Sequence, residues 1–261
     1  MREEGPGEWW YSKYESILSV FGFDRKRDEL AAESCGELML SRPCVVGDVR
    51  SLIEGRTVVL AGGSDVLEED LRALSGTRGR FGLVLVAADG ATRPILEKGL
   101  VPDVVVTDLD GGIDSLMSAR ERGAFLIVHA HGDNLVEVTE FLKRVDGRIE
   151  ATCQCRPTGH VHNFGGFTDG DRAAFLVLSF QPSALVLIGM DLDGPVGRLT
   201  KPDGWYTPER ERIKRLKLRV ASDLFLTASE IYGGKVRLID ASSSSSTVPG
   251  FIKRPLRSVF E

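Results

Sequence analysis

Five short runs of apolar, mostly β-branched residues recur along the chain: Thr57–Ala61, Leu83–Ala87, Asp103–Thr107, Phe125–His129 and Leu185–Gly189. None alternates polar with apolar, so each reads as a strand buried on both faces. Between them lie amphipathic stretches over Val66–Leu74, Arg93–Lys98, Ile113–Arg122 and Leu135–Val145. Strand and helix in that alternation call for βαβ crossovers, which build a parallel sheet covered by helices. The expectation is an α/β fold with a doubly wound, mostly parallel sheet and helices on both faces. A late strand is expected over Val236–Asp240, with no partner legible in the pattern.

Residues 1–55 differ. Trp9, Trp10, Tyr11, Tyr14, Ile17, Leu18, Phe21 and Phe23 give helical spacing with a wide aromatic face, and Asp28–Leu40 reads as a second helix broken by Arg42-Pro43. The expected organisation is a small helical cap over 1–55 and an α/β domain over 56–261. The cap either packs structurally, closes a site or makes a homo-oligomer contact.

Acids follow the strands. Asp89 follows the second run, Asp108 and Asp110 the third, and Asp133 the fourth. In open parallel sheets, ligands bind beyond the carboxyl ends of the strands. Carboxylates gathered there repel one another without a counter-cation, and hard oxygen donors of this kind suit Mg²⁺. Asp108 and Asp110, two residues apart on an extended segment, would point the same way. Helix capping explains Asp133 equally well, but not the Asp108/Asp110 pair. A magnesium cluster in such a fold points to phosphate chemistry.

Three loops extend this reading. Gly62-Gly63-Ser64 joins a strand to a helix start, a natural anion site in which Ser64 caps the helix or contacts phosphate. A plain βα turn would look the same. Asn163 to Arg172 holds Gly165, Gly166, Phe167, Thr168 and Asp171 before an apolar helix over Ala173–Phe180. Such a loop can wrap a nucleotide with backbone N–H groups, and Arg172 can neutralise its charge. Asp191 follows the fifth run as a metal or substrate ligand, and Lys201 lies beyond it within reach of a phosphate. His131 is either a phosphate contact or a structural histidine. Lys214 and Lys217, three apart on an expected helix, read as a solvated face and are left outside the site. The serine run Ser242–Ser246 reads as a linker, or as hydroxyls facing the site.

Composition narrows the partners. The chain has 261 residues and a formal net charge of −5, so bulk charge gives no reason to expect nucleic acid. No apolar run approaches the roughly 20 residues of a membrane span. Met1–Gly5 lacks a signal-peptide pattern, and the expected location is cytoplasmic. Four cysteines are too few for a disulfide framework at this length. Cys153 and Cys155 with His160 and His162 invite a zinc reading, but the spacing is not a standard one, and reduced side chains are preferred.

Taken in order, Ala88-Asp89-Gly90-Ala91, Pro102 to Asp110, His129-Ala130-His131-Gly132-Asp133-Asn134, Asn163 to Arg172 and Gly189-Met190-Asp191 resemble the archaeal type of 6-hydroxymethyl-7,8-dihydropterin pyrophosphokinase. That family is similar to thiamine pyrophosphokinase in its catalytic half. The resemblance spans roughly Thr57 to Lys201 and rests on motif order rather than on any single motif. It implies transfer of pyrophosphate from ATP to the hydroxymethyl group of the dihydropterin, releasing AMP, in pterin cofactor biosynthesis of the tetrahydromethanopterin or folate type. It implies Mg²⁺ on Asp89, Asp108 and Asp110, with Asp133 the next acidic position and the acceptor pocket in the C-terminal third, near Ser242–Ser246 and Phe251. Asp110 or Asp133 would take the hydroxyl proton. Gly62-Gly63-Ser64 departs from the glycine-proline-serine turn of many relatives.

Three alternatives carry different tests. Thiamine pyrophosphokinase activity shares the ATP half and differs in the acceptor. A haloacid-dehalogenase-like phosphatase would use Asp108 as nucleophile and Asp110 as acid/base. Against it, His129 stands where a Ser or Thr is expected. A nucleotide-binding regulatory protein would bind without turnover and has no need of the full acidic set.

Overall fold

A computed structural model describes residues 5–76, 82–198 and 206–260. The continuous apolar runs become the middle of one eight-stranded sheet. Its strands are β1 (Thr57–Ala61), β2 (Val84–Ala88), β3 (Val104–Thr107), β4 (Phe125–Ala130), β5 (Ile149–Cys153), β6 (Ala184–Ile188), β7 (Arg237–Asp240) and β8 (Ile252–Lys253). They pair in the order β5-β4-β3-β2-β1-β6-β7-β8, every pair parallel. Val58, Val59, Leu60 and Ala61 are wholly buried, as are Leu185 to Ile188 beside them. Strands with nothing polar on either face can only sit in the centre of a covered sheet.

The order places the site. The chain runs outward from β1 to β5 through α4 (Leu67–Ser75), α5 (Thr92–Glu97), α6 (Ile113–Glu121) and α7 (Leu135–Arg144). It then returns through α8 (Asp169–Ser179) to β6, on the other side of β1. Since such crossovers are right-handed, the reversal of direction puts the return helix on the opposite face. There α8 packs on β1, β2, β3 and β6, with α9 (Pro208–Tyr232) beside it. The chain leaves β1 and β6 in opposite directions, which opens a crevice at their carboxyl ends.

Three N-terminal helices, α1 (Gly7–Phe21), α2 (Arg25–Met39) and α3 (Val46–Ile53), share the sheet's core. Trp10 and Tyr14 are at most 1% exposed. Truncating a side chain of that size costs about 3–5 kcal/mol, so α1 is firmly held. α2 packs on α7, β4 and β5. It begins at Arg25, earlier than the expected Asp28, because the Asp24 carboxylate caps it by accepting from Lys26 N at 2.9 Å. Among the described residues no helix is long and apolar enough to cross a membrane.

Three elements were not legible. β5 reads Ile-Glu-Ala-Thr-Cys, too polar to stand out, yet all five residues are buried. α3 is only eight residues long and β8 only two, while the helix expected around Lys214 and Lys217 runs 25 residues as α9.

Candidate active site

The strand ends bring three acids together. Asp89 at the end of β2, Asp108 after β3 and Asp169 at the start of α8 each offer a carboxylate oxygen, all within 4.8 Å of one another. Asp110 completes the group, hydrogen-bonded to Asp89. The Asp108/Asp110 pair converges, but not by strand alternation. β3 stops at Thr107, and Leu109 takes a left-handed φ of 73°. A turn at a non-glycine residue is costly and held only by its surroundings. Here the Thr107 hydroxyl accepts from Leu109 N at 2.8 Å and donates to the Asp89 carboxylate.

Cations face these acids. Arg172 Nη1 lies 3.3 Å from Asp169 Oδ1 and 4.0 Å from Asp108 Oδ2, while its Nη2 donates to Gln154 Oε1 at 3.3 Å. His131 Nε2 stands 3.7 Å from Asp108 Oδ2, and its Nδ1 accepts from Asp133 N at 3.3 Å. Burial and the neighbouring Asp169 and Asp108 push the Asp89 carboxyl well up. Burial and Asp108 likewise raise Asp169 to about 7, against the opposing charge of Arg172. Burial also acts to raise Asp108, but the His131 hydrogen bond and the Arg172 charge outweigh it and hold that carboxyl below the usual range. Pairs of acids pushed apart in this way mark a site built for charge chemistry. Asp108 Oδ1 is buried with no hydrogen-bond partner among the described residues. A buried lone pair beside three further carboxylates fits a hard cation taking oxygen ligands.

The cleft has two connected lobes. One is walled by Gly62, Gly63, Ser64, Gly189, Met190 and Asp191, with Val196, Leu218 and Phe225 giving it an apolar side. The other is walled by Phe23, His131, Gln154, Phe167, Arg172 and Lys217. Asp110, Thr168, Asp169 and Lys214 line both.

The glycines serve close approach more than anion capture. A Cβ on Gly62 would stand 2.5 Å from Met190 Sδ and 2.7 Å from Gly189 O, so the β1 and β6 turns meet only through glycine. Ser64 neither caps α4 nor offers its hydroxyl outward; it donates to Gly189 O at 2.8 Å. The first turn of α4 carries Glu68, Glu69 and Asp70, which offset the positive helix end expected to hold an anion. Gly166 has φ 95°, and a Cβ there would meet Arg172 N at 2.6 Å; Gly165 sits against Trp9.

In that same loop several expected ligands are occupied by the fold. Thr168 and the wholly buried Asp171 form a reciprocal capping box on α8. Asn163 donates to Cys155 O at 2.7 Å and accepts from Gly165 N at 2.8 Å. Asp171 and Asn163 therefore shape the loop, and Phe167 packs against Phe21 and Phe23.

Asp133 is not in the acidic cluster. It is exposed at the rim, 3.2 Å from Arg27 Nη1, because its turn points it outward while Asn134 turns in to donate to Asp108 O and His129 O. Asp191 lies in the first lobe, accepting from Gly194 N at 2.9 Å and Ser246 Oγ at 3.2 Å. The serine run is thus tied to the site: Ser242 Oγ accepts from Met190 N at 3.1 Å. Lys201 lies outside the described residues.

Lys214 and Lys217 correct the sequence reading. Both face the cleft, and Lys217 lies 5.5 Å from the Phe167 ring centre. Their three-residue spacing put them on one face of α9; what the sequence did not reveal was that this face meets α8. Asp169 was missed because only the fold brings residue 169 to residue 108.

Residues 42–196 match the family described as 6-hydroxymethylpterin diphosphokinase MptE-like. A Methanothermobacter thermautotrophicus protein named 6-hydroxymethyl-7,8-dihydropterin pyrophosphokinase is 37% identical over 218 residues, covering 82% of this chain and 91% of the relative. Proteins of the same name from Pyrococcus furiosus and Methanocaldococcus jannaschii are 38% and 31% identical. The former match covers 90% of this chain and 98% of the relative, the latter 74% and 83%. Among solved structures, the MAf glycosyltransferase from Magnetospirillum magneticum AMB-1 superimposes with a TM-score of 0.50 at 16% identity. That match covers 84% of this chain and 38% of the other, and it bears on the fold alone.

Proposed function

The chain belongs to the 6-hydroxymethylpterin diphosphokinase MptE-like family and is a diphosphotransferase, and from that premise we propose a specific reaction. It moves the β,γ-pyrophosphoryl group of ATP to the hydroxymethyl oxygen of 6-hydroxymethyl-7,8-dihydropterin, releasing AMP. The observation that carries this reading is the meeting of Asp89, Asp108 and Asp169 with Asp110 opposite Arg172, Lys214 and Lys217.

Asp89, Asp108, Asp110 and Asp169 would hold Mg²⁺, which when bound would supply positive charge to offset the negative charge that repels the incoming hydroxyl. Arg172, Lys214 and Lys217 bind the phosphates in the second lobe, where Phe23 and Phe167 exclude water. The acceptor occupies the first lobe, with Asp191 facing its N–H edge and Phe225 its ring. Asp110 lines both lobes and takes the hydroxyl proton. Asp133, exposed and paired with Arg27, is left to orient His131. Catalysis is then mainly positioning and electrostatics.

The test is an end-point assay with ATP, Mg²⁺ and 6-hydroxymethyl-7,8-dihydropterin that resolves AMP from ADP and phosphate. One AMP per pterin diphosphate is expected. AMP formed only with thiamine would change the acceptor. Release of phosphate without either acceptor would overturn the reaction class.

A further inference from the structure

A second cluster of ligand-type side chains lies at the amino end of β5, away from the carboxyl-edge cleft. It joins Cys44, between α2 and α3, with Glu150 on β5 and His162 on the segment bridged to Thr152. His162 Nε2 is 3.8 Å from Cys44 Sγ and 3.8 Å from Glu150 Oε1, and all three ligand atoms lie within 4.8 Å of one another. Ligands around tetrahedral zinc, with Zn–S about 2.3 Å and Zn–N about 2.0 Å, stand roughly 3.3–3.6 Å apart. Each 3.8 Å separation from His162 would need to close by only a few tenths of an ångström.

Glu150 makes the cluster more than a chance meeting. It is 1% exposed, and a buried carboxylate is costly unless compensated. Its hydrogen bonds come from Val45 N at 3.1 Å, Ala151 N at 3.2 Å and the Cys44 thiol, and His162 is the group whose charge most offsets its own. The imidazole beside it stands beyond hydrogen-bond reach. The backbone holds the ligands in place independently, since Cys153 N donates to His162 O and His162 N to Ala151 O.

We propose that Cys44, Glu150 and His162 bind a divalent cation of the Zn²⁺ class, as three protein ligands with solvent in the fourth position. Thiolate and imidazole select such an ion over Mg²⁺. Binding releases the Cys44 proton to solvent in exchange for the thiol–carboxyl hydrogen bond. The ion staples the α2–α3 turn to the edge strand that leads into Gln154 and the site loop. The sequence pattern around Cys153 and Cys155 thus supplies His162 alone.

The experiment titrates metal-stripped full-length protein with Co²⁺, followed by displacement with Zn²⁺. One equivalent with a thiolate-to-cobalt charge-transfer band is expected. Cys44→Ser, at an exposed position, and His162→Ala should each lose the band and weaken Zn²⁺ binding by at least about tenfold. Asp108→Asn should keep the band, and Cys44→Ser should keep wild-type AMP formation. Absence of the band in the wild-type protein, its survival in Cys44→Ser or its loss in Asp108→Asn would each overturn the assignment.

Discussion

Asp28 Oδ1 accepts a hydrogen bond from the backbone N–H of Gly132 at 2.7 Å, although the two residues lie on α2 and on the loop after β4. The other oxygen accepts from Tyr14 Oη at 2.6 Å and from Gln154 Nε2 at 2.7 Å. One carboxylate therefore joins α1, α2, the His131 turn and the residue that holds Arg172. The N-terminal helices are part of how the cleft keeps its shape.

Asp28→Ala leaves three buried donors without an acceptor. At 1–3 kcal/mol for each unmet group, the loss should reach about 3 kcal/mol or more. Asp28→Asn, which keeps one acceptor oxygen, should lose less. Urea denaturation of both variants measures this, and equal stability of Asp28→Ala and wild type would show that the network contributes nothing.

Asp169→Asn should separate catalysis from stability. Pyrophosphoryl transfer should fall on the order of a thousandfold, as for Asp108→Asn and Asp110→Asn, since charge stabilisation by metal is worth several kcal/mol. Yet above about pH 7, where Asp169 is ionised, removing its charge from a like-charged group should raise the melting temperature of the metal-free protein. AMP assays beside thermal melts in chelator test both halves. Near wild-type turnover removes Asp169 from the site.

The pH dependence follows from Asp169, raised to about 7 from an ordinary 3.8. Between those values the folded chain holds a proton that the unfolded chain has released. Stability of the metal-free protein therefore falls as pH rises toward and through 7. Mg²⁺ binding requires the same proton to leave. The Mg²⁺-induced rise in melting temperature should be small near about pH 6 and larger near about pH 8. A shift independent of pH would contradict this.

Lys214→Ala and Lys217→Ala each remove a charged partner for phosphate. Charge-assisted hydrogen bonds are worth about 1.5–3 kcal/mol, so each change should raise the KM for ATP roughly tenfold or more. Steady-state kinetics with ATP varied is the check. An unchanged KM in both variants would return these lysines to the solvated face that their spacing first suggested.

The sheet was legible because Val, Leu and Ile run unbroken where both faces are covered, and the acids were legible because they end those runs. Periodicity cannot report distance across the fold. Asp133 lies in sequence where a fourth ligand should be, but its turn aims it outward. Asp169 lies 61 residues from Asp108 and arrives only with the return crossover. Asp171, Asn163 and Ser64 look like ligands because capping and turn-making use the same polar side chains as phosphate binding. β5 was hidden by Glu150, a charged residue inside a buried strand whose presence makes sense only once Cys44 and His162 are beside it.

The central pairing of β1 with β6 sets Thr57 beside Ala184. On the ribosome, at about 5–20 residues per second, β1 waits on the order of ten seconds for that neighbour. Until then its second edge stays open, a place where a foreign strand can add. The same delay keeps Asp169 from Asp89 and Asp108, so a nascent chain has an incomplete set of carboxylates. Closure of the second edge of β1 and completion of the acidic cluster thus both wait on the return crossover, and a chain that stalls before it is both aggregation-prone and inert.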